Sequence, residues 1–224
     1  EPLLYVDGFA GPGEYTNLPE GSPIAALDAA KRAMRDTADD WRAGAIHCAF
    51  IEQDSRRMEN LQRKIERSEL NQGVNIHYFN DLFVDGLDRV ISTIPEAFTG
   101  SYPLFVFIDP FGATGAPFSH VKTILSSPKS EVLIYFDVDG IARIFSDRGT
   151  AKNREHLNNI FGDHDWEEEL TVRTNSFPQL CSAIKDIYQE RLLRATKAKY
   201  VFPFDMRTTD SHTDYYLIFA SQHH

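Results

Sequence analysis

A chain of 224 residues, 42% hydrophobic and 25% charged, can bury a self-supporting core, which excludes a disordered or collagen-like protein. Thirty-three acidic side chains against 23 basic ones give a formal charge of −10, which excludes nucleic-acid binding by bulk charge but not a local basic patch. Cys48 and Cys181 sit in no metal-ligand spacing, no apolar run approaches the ~20 residues of a membrane span, and no signal peptide is visible, so the expected setting is a reducing cytoplasm.

Short apolar runs alternate with longer amphipathic stretches, the pattern of a parallel sheet covered by helices. A strand is predicted at Leu3–Val6 and a helix at Ile24–Asp39, with Ser22-Pro23 as its N-cap and first turn. A strand at Ala45–Ile51, a helix at Ser55–Leu70, a strand at Val74–Phe79 and a helix at Leu82–Ile94 follow. Leu104–Ile108, the shorter helix Phe118–Leu125 and Val132–Phe136 continue the alternation. The charged span 146–170 is a possible cap or insertion. A long helix at Phe177–Ala195 precedes two strands, Tyr200–Phe204 and Tyr215–Ala220, joined by a polar loop. The expectation is one domain over residues 1–224. Its fold is a Rossmann-like, doubly wound α/β sheet of seven mostly parallel strands, in order 3-2-1-4-5 plus a hairpin, with the last strand antiparallel.

Ligands in such sheets bind beyond the carboxyl ends of the strands. After the first strand stands Asp7-Gly8-Phe9-Ala10-Gly11-Pro12-Gly13, whose glycines let backbone approach a ligand but match neither the dinucleotide nor the Walker spacing. After the second stands Glu52, either a ribose-hydroxyl acceptor or a solvated carboxylate. Asn80-Asp81-Leu82 follows the third, with Asp81 a ligand contact or a helix N-cap. Asp109-Pro110-Phe111-Gly112 follows the fourth, where a carboxylate on a rigid turn is hard to explain by packing. Four such features at four consecutive strand ends argue a nucleoside-type ligand.

In this order the motifs resemble class I S-adenosylmethionine-dependent methyltransferases. More narrowly, Tyr5-Val6-Asp7-Gly8-Phe9-Ala10-Gly11-Pro12-Gly13, Gly21-Ser22-Pro23, Phe107-Ile108-Asp109-Pro110-Phe111-Gly112 and Tyr215-Tyr216-Leu217-Ile218-Phe219-Ala220 are similar to the three-Cys-motif partner (TcmP) family, over nearly the whole chain. The resemblance implies S-adenosylmethionine as cofactor, with Asp7 to Gly13 around its methionine moiety, Glu52 on its ribose, and Asp81 with Leu82 at its adenine. It implies a three-Cys-motif, radical-SAM-like protein as partner. Family members carry helical sequence before the first strand and after the last, so the expected domain lacks both. By the same resemblance Asp109-Pro110 aligns with the Asp-Pro-Pro-aromatic motif of amino-group methyltransferases, where carboxylate and carbonyl orient a substrate amine. Phe111 and Gly112 replace the second proline and the stacking aromatic, so Asp109, Pro110 and Phe111 are the catalytic candidates.

Tyr15, Ser22, Asp137, Asp139 and His212 are the substrate-side candidates, Tyr15 and Phe111 as stacking surfaces and His212 from the loop between the last two strands. Asp137-Val138-Asp139-Gly140 looks like a dehalogenase-type phosphatase opening, but Ile141 stands in place of the usual Thr and too little chain follows. A helix cap or substrate-side polarity remains for that pair, alongside a Mg²⁺ reading in which Asp109, Asp137 and Asp139 converge. His223 and His224 are given no function. Two function classes stand: a methyltransferase acting on an amine or nucleobase-type substrate, nucleotide or nucleic acid included, and a non-catalytic methyltransferase-like partner protein.

Overall fold

The computed structural model describes residues 1–15, 20–36, 44–68, 73–173, 176–206 and 215–223. Its strands are β1 (Leu3–Asp7), β2 (Ile46–Ile51), β3 (Val74–Phe79), β4 (Leu104–Ile108), β5 (Ser130–Phe136), β6 (Tyr200–Met206) and β7 (Tyr215–Ser221). The helices are α1 (Ser22–Asp36), α2 (Ser55–Glu66), α3 (Phe83–Thr93), α4 (Pro95–Phe98), α5 (Phe118–Ser126), α6 (Val138–Ser146), α7 (Ala151–Phe161), α8 (Trp166–Arg173) and α9 (Phe177–Ala195). The strands form one seven-stranded sheet in order β3-β2-β1-β4-β5-β7-β6. β1 pairs in parallel with β2 and β4, and β2 with β3, whereas β7 runs antiparallel to both β5 and β6. That is the order expected from the alternation of apolar runs.

The chain divides into two compact units, residues 1–107 with 127–129, and residues 108–126 with 130–224. In the first, α1 and α2 place Leu27, Ala30, Met58, Leu61 and Ile65 against Ile46, Cys48 and Phe50 of β2. These are the three- and four-residue repeats of two amphipathic helices meeting alternate residues of a strand. On the opposite face of β2, α3 comes so close that a Cβ on Gly86 would lie 2.5 Å from Ile51 Cγ2. His47 Nδ1 and His77 Nε2 approach to 3.1 Å, with the rings stacked and Tyr102 stacked on His47. α1 begins differently from expectation. The Gly21 carbonyl accepts from the N–H groups of Ile24 and Ala25, so Ser22 stands inside the first turn rather than at the N-cap.

In the second unit α5, α6 and α9 lie on one face of β5, β7 and β6. Tyr188 of α9 stacks on Phe136 at 4.3 Å, Phe118 of α5 meets the Tyr188 edge at 5.7 Å, and Gln222 donates to the Leu125 carbonyl. The charged span 146–170 folds into α7 and the start of α8. Arg191, fully buried in α9, holds it by ion pairs to Asp163 and Glu169 and a hydrogen bond to the Phe161 carbonyl. Sequence periodicity alone gave α9 its bounds and missed α4, α6, α7 and α8. α4 spans only 4 residues, and α7 and α8 bury their apolar residues against other helices rather than along one long stripe. Both cysteines are free and buried, with burial pushing the thiols up to about 12 at Cys48 and about 11 at Cys181, which makes them poor nucleophiles.

Candidate functional site

The glycine-rich loop after β1 is pinned from every side within the first unit. Gly8 N–H donates to the Phe107 carbonyl and Ala10 N–H to the Ile51 carbonyl, tying the loop to β4 and β2 (2.9 Å each). Asp7 is buried. Its Oδ1 accepts from Phe9 N–H at 3.2 Å, and the Tyr5 hydroxyl donates to the same carboxylate, so Asp7 shapes the loop from beneath. Burial, together with that negative charge, raises the Tyr5 pKa and keeps the phenol neutral. Phe9 stacks on Phe83, and a Cβ on Gly8 would lie 2.8 Å from the Phe83 ring, so Gly8 is set by packing. Gly11 and Gly13 have φ of +63° and +79°, which a side chain would strain.

Glu52 is the hinge of this arrangement. It is only 6% exposed, and its Oε2 accepts the Gly11 N–H at 2.9 Å while Oε1 accepts the Asp54 N–H at 2.8 Å. The carboxylate thus joins the end of β2 to the turn of the glycine loop and to the start of α2. Each oxygen keeps a second acceptor position. Asp54 then caps α2, accepting from Arg56 and Arg57 N–H, and these bonds hold its own carboxyl below the usual range. Asn80, which sequence reasoning noted only in passing, donates to the Glu52 and Gln53 carbonyls and accepts from the Ser55 hydroxyl. It locks the ends of β2 and β3 together. The only signal for it was an asparagine directly after a strand.

Asp81 pairs with Arg89, and α3 has Leu82 as its N-cap with no side-chain cap bond, which removes the N-cap reading of Asp81. Leu82 itself is exposed, an apolar surface beside that carboxylate. Tyr15 is also exposed, and a Cβ on Gly11 would fall 2.5 Å from its hydroxyl oxygen, so the phenol stands over the loop.

Asp109, Pro110 and Phe111 belong to the second unit. Asp109 is exposed, yet the surrounding protein desolvates its carboxyl enough to raise its pKa above the usual aspartate value. It forms no hydrogen bond among the described residues, and α5 starts nine positions later at Phe118, so a role capping that helix is excluded. Pro110 is buried and Phe111 is fully exposed. Gly112 and Gly115 take φ of +92° and +119°, and a Cβ on Gly112 would meet nothing, so the loop turns through open space. A cavity of about 20 Å³, room for one water, lies where Pro110 and Gly112 approach Asp137 and Tyr188.

Asp137 caps α6 through its bond to Gly140 N–H (2.8 Å), and Asp139 pairs with Arg143 at 3.0 Å. The cap reading of Asp137 therefore holds. Among the described residues no three acidic, histidine or cysteine side chains gather as a metal site, which tells against convergence of Asp109, Asp137 and Asp139 on Mg²⁺. Ser22 lies in the first turn of α1, and His212 lies outside the described residues.

No family model matches the chain, and no curated protein matches its sequence. Among solved structures it is similar to a protein assigned as a caffeoyl-CoA O-methyltransferase from Staphylococcus aureus, at 14% identity, TM-score 0.45, over 98% of this chain and 76% of that one. It is also similar to a SAM-dependent methyltransferase from Methanosarcina mazei (11%, TM-score 0.39, 99% and 92%). A third is a geranyl diphosphate methyltransferase in complex with GPP and sinefungin (10%, TM-score 0.40, 99% and 72%). At these identities and scores the likeness carries no argument about chemistry, which rests on this chain's own residues.

Proposed function

We propose that the protein is an S-adenosylmethionine-dependent methyltransferase acting on an amine or nucleobase-type substrate. The observation that carries the cofactor half is the buried Glu52 carboxylate, anchored on Gly11 N–H with acceptor positions to spare. That donor set suits an adenosyl group: Glu52 takes ribose hydroxyls, exposed Leu82 covers the adenine face, Asp81 accepts its amino group, and the loop from Asp7 to Gly13 holds the methionine moiety. The bound sulfonium supplies an electrophilic methyl group. Asp109 accepts an N–H from the substrate amine and aims its lone pair, the Pro110 carbonyl takes a second N–H, and Phe111 offers a bare ring to a planar substrate. The motif likeness to TcmP proteins supports a radical-SAM-like partner, and two free, buried cysteines suit a cytoplasmic setting.

Calorimetry with S-adenosylhomocysteine, followed by methyl-transfer assays on nucleobase and arylamine substrates, tests this reading. Binding without transfer to any amine, in the presence of the partner protein, would favour the non-catalytic reading instead. Absence of binding at millimolar ligand would end both cofactor readings.

A further inference from the structure

Asp81 stands just past the end of β3, beside Asn80, whose amide donates to the Glu52 carbonyl at 2.8 Å. Two groups compete for its carboxylate. α3 opens at Leu82 with no side-chain cap bond, and the amides of a first helical turn attract a nearby negative charge. Arg89, farther along α3, takes Asp81 Oδ2 instead. Its guanidinium also lies over the ring of Phe79, 5.3 Å from the centroid, and Phe79 is buried as the last residue of β3. One cation is therefore anchored on a fixed ring and holds the carboxylate off the helix end. Asp81 Oδ1 takes no hydrogen bond among the described residues, and the side chain stays 24% exposed beside exposed Leu82.

We infer that Arg89 is a positioning residue for nucleobase choice: it fixes Asp81 so that the carboxylate accepts from a base with an exocyclic amino group and rejects one with a carbonyl in that place. This rests on the proposed adenosyl site and deepens it, since Asp81 as an acceptor there needs something to orient it. An ionised carboxylate only accepts. Opposite the amino group of adenine, Oδ1 gains an N–H; opposite the carbonyl of hypoxanthine, two acceptors meet. A group held in place discriminates between these, whereas one free to swing onto the helix end gives up little for the wrong base. Arginine suits the role better than lysine, because a planar guanidinium stacks on Phe79 and donates in its own plane to Asp81 at once. With Arg89 58% exposed, the pair adds little to stability, and its contribution is orientation.

Calorimetric titration of the protein with S-adenosylhomocysteine and with S-inosylhomocysteine, which carries a carbonyl where the first carries an amino group, tests this. Wild type should prefer the adenosyl compound by about 10- to 100-fold, the range for a hydrogen bond to a charged group. Arg89→Ala should cut that preference to about 3-fold or less, with Arg89→Lys restoring part of it. Tm should move by no more than about 4 °C in either variant, as for an exposed ion pair. Asp81→Asn, whose amide can turn an N–H toward a carbonyl, should flatten the preference by itself, and adding Arg89→Ala to it should change nothing further. Three results would each overturn the inference while leaving the cofactor reading intact: equal wild-type affinity for the two compounds, an Arg89→Ala variant that keeps the preference, or a further change in the Asp81→Asn background. Absence of S-adenosylhomocysteine binding at millimolar ligand would end both.

Discussion

Replacing Glu52 with Ala removes two acceptors at once, and the two losses are unequal. Gly11 N–H is buried, so losing its partner at 2.9 Å costs about 1–3 kcal/mol, the penalty for an orphaned donor. Asp54 N–H lies nearer the surface and can turn to water, so its loss is about 1 kcal/mol. The sum, about 2–4 kcal/mol, lowers Tm by about 5–15 °C for a chain of this size. The same change frees the glycine loop and deletes the proposed ribose acceptor, so affinity for S-adenosylhomocysteine should fall by about 5- to 150-fold. Glu52→Gln keeps one acceptor oxygen and should fall between wild type and Ala on both scales. Calorimetric melting and isothermal titration read the two effects separately. An Ala variant with unchanged Tm and unchanged affinity would refute the reasoning. Weakened binding with unchanged Tm would show that Glu52 meets ligand without holding the loop.

Asp109→Asn should cost ~10²-fold or more in turnover while sparing cofactor affinity, measured by steady-state kinetics and titration. Because the Asp109 carboxyl is raised by desolvation, its charged form costs stability as pH rises above the ordinary aspartate range, so Asn should melt no lower than wild type at neutral pH. His47 and His77 are both held below 6.5, first by burial, with His47 further opposing His77 and Glu96 partly offsetting the effect at His47. Their neutral forms favour the folded state, so stability is full above about pH 6.5 and declines as pH falls below it; His77→Gln should flatten that decline in pH-dependent melts. Gly11→Ala, at φ +63° with a Cβ 2.5 Å from the Tyr15 hydroxyl, should destabilise by about 1–2 kcal/mol. Adding Tyr15→Ala should recover only the steric part, which a double-mutant cycle in urea measures.

What the sequence determined by itself was the frame. Continuous short apolar runs such as Leu104–Ile108 read as strands of a covered sheet, and the stripe of Leu27, Ala30 and Met34 reads as a helix against them. Strand order followed, because right-handed crossovers leave few alternatives. Acidic and glycine-rich residues at strand ends were legible for the same reason, since strand ends are where the chain must turn. What only tertiary structure decided was which partner each polar group took. Glu52 read equally as ligand contact or solvated carboxylate until the loop folded back to put Gly11 N–H, 41 positions away, on its Oε2. Asp81 and Asp137 stood at similar strand ends, yet one pairs with Arg89 and the other caps a helix. Arg191 sat in an apolar stripe with nothing nearby in sequence to explain it; Asp163 and Glu169 reach it only through the turn between α7 and α8. Periodicity records which side of an element meets apolar surface, whereas hydrogen bonds and ion pairs between distant segments are made by three-dimensional closure, and a linear pattern carries no trace of them.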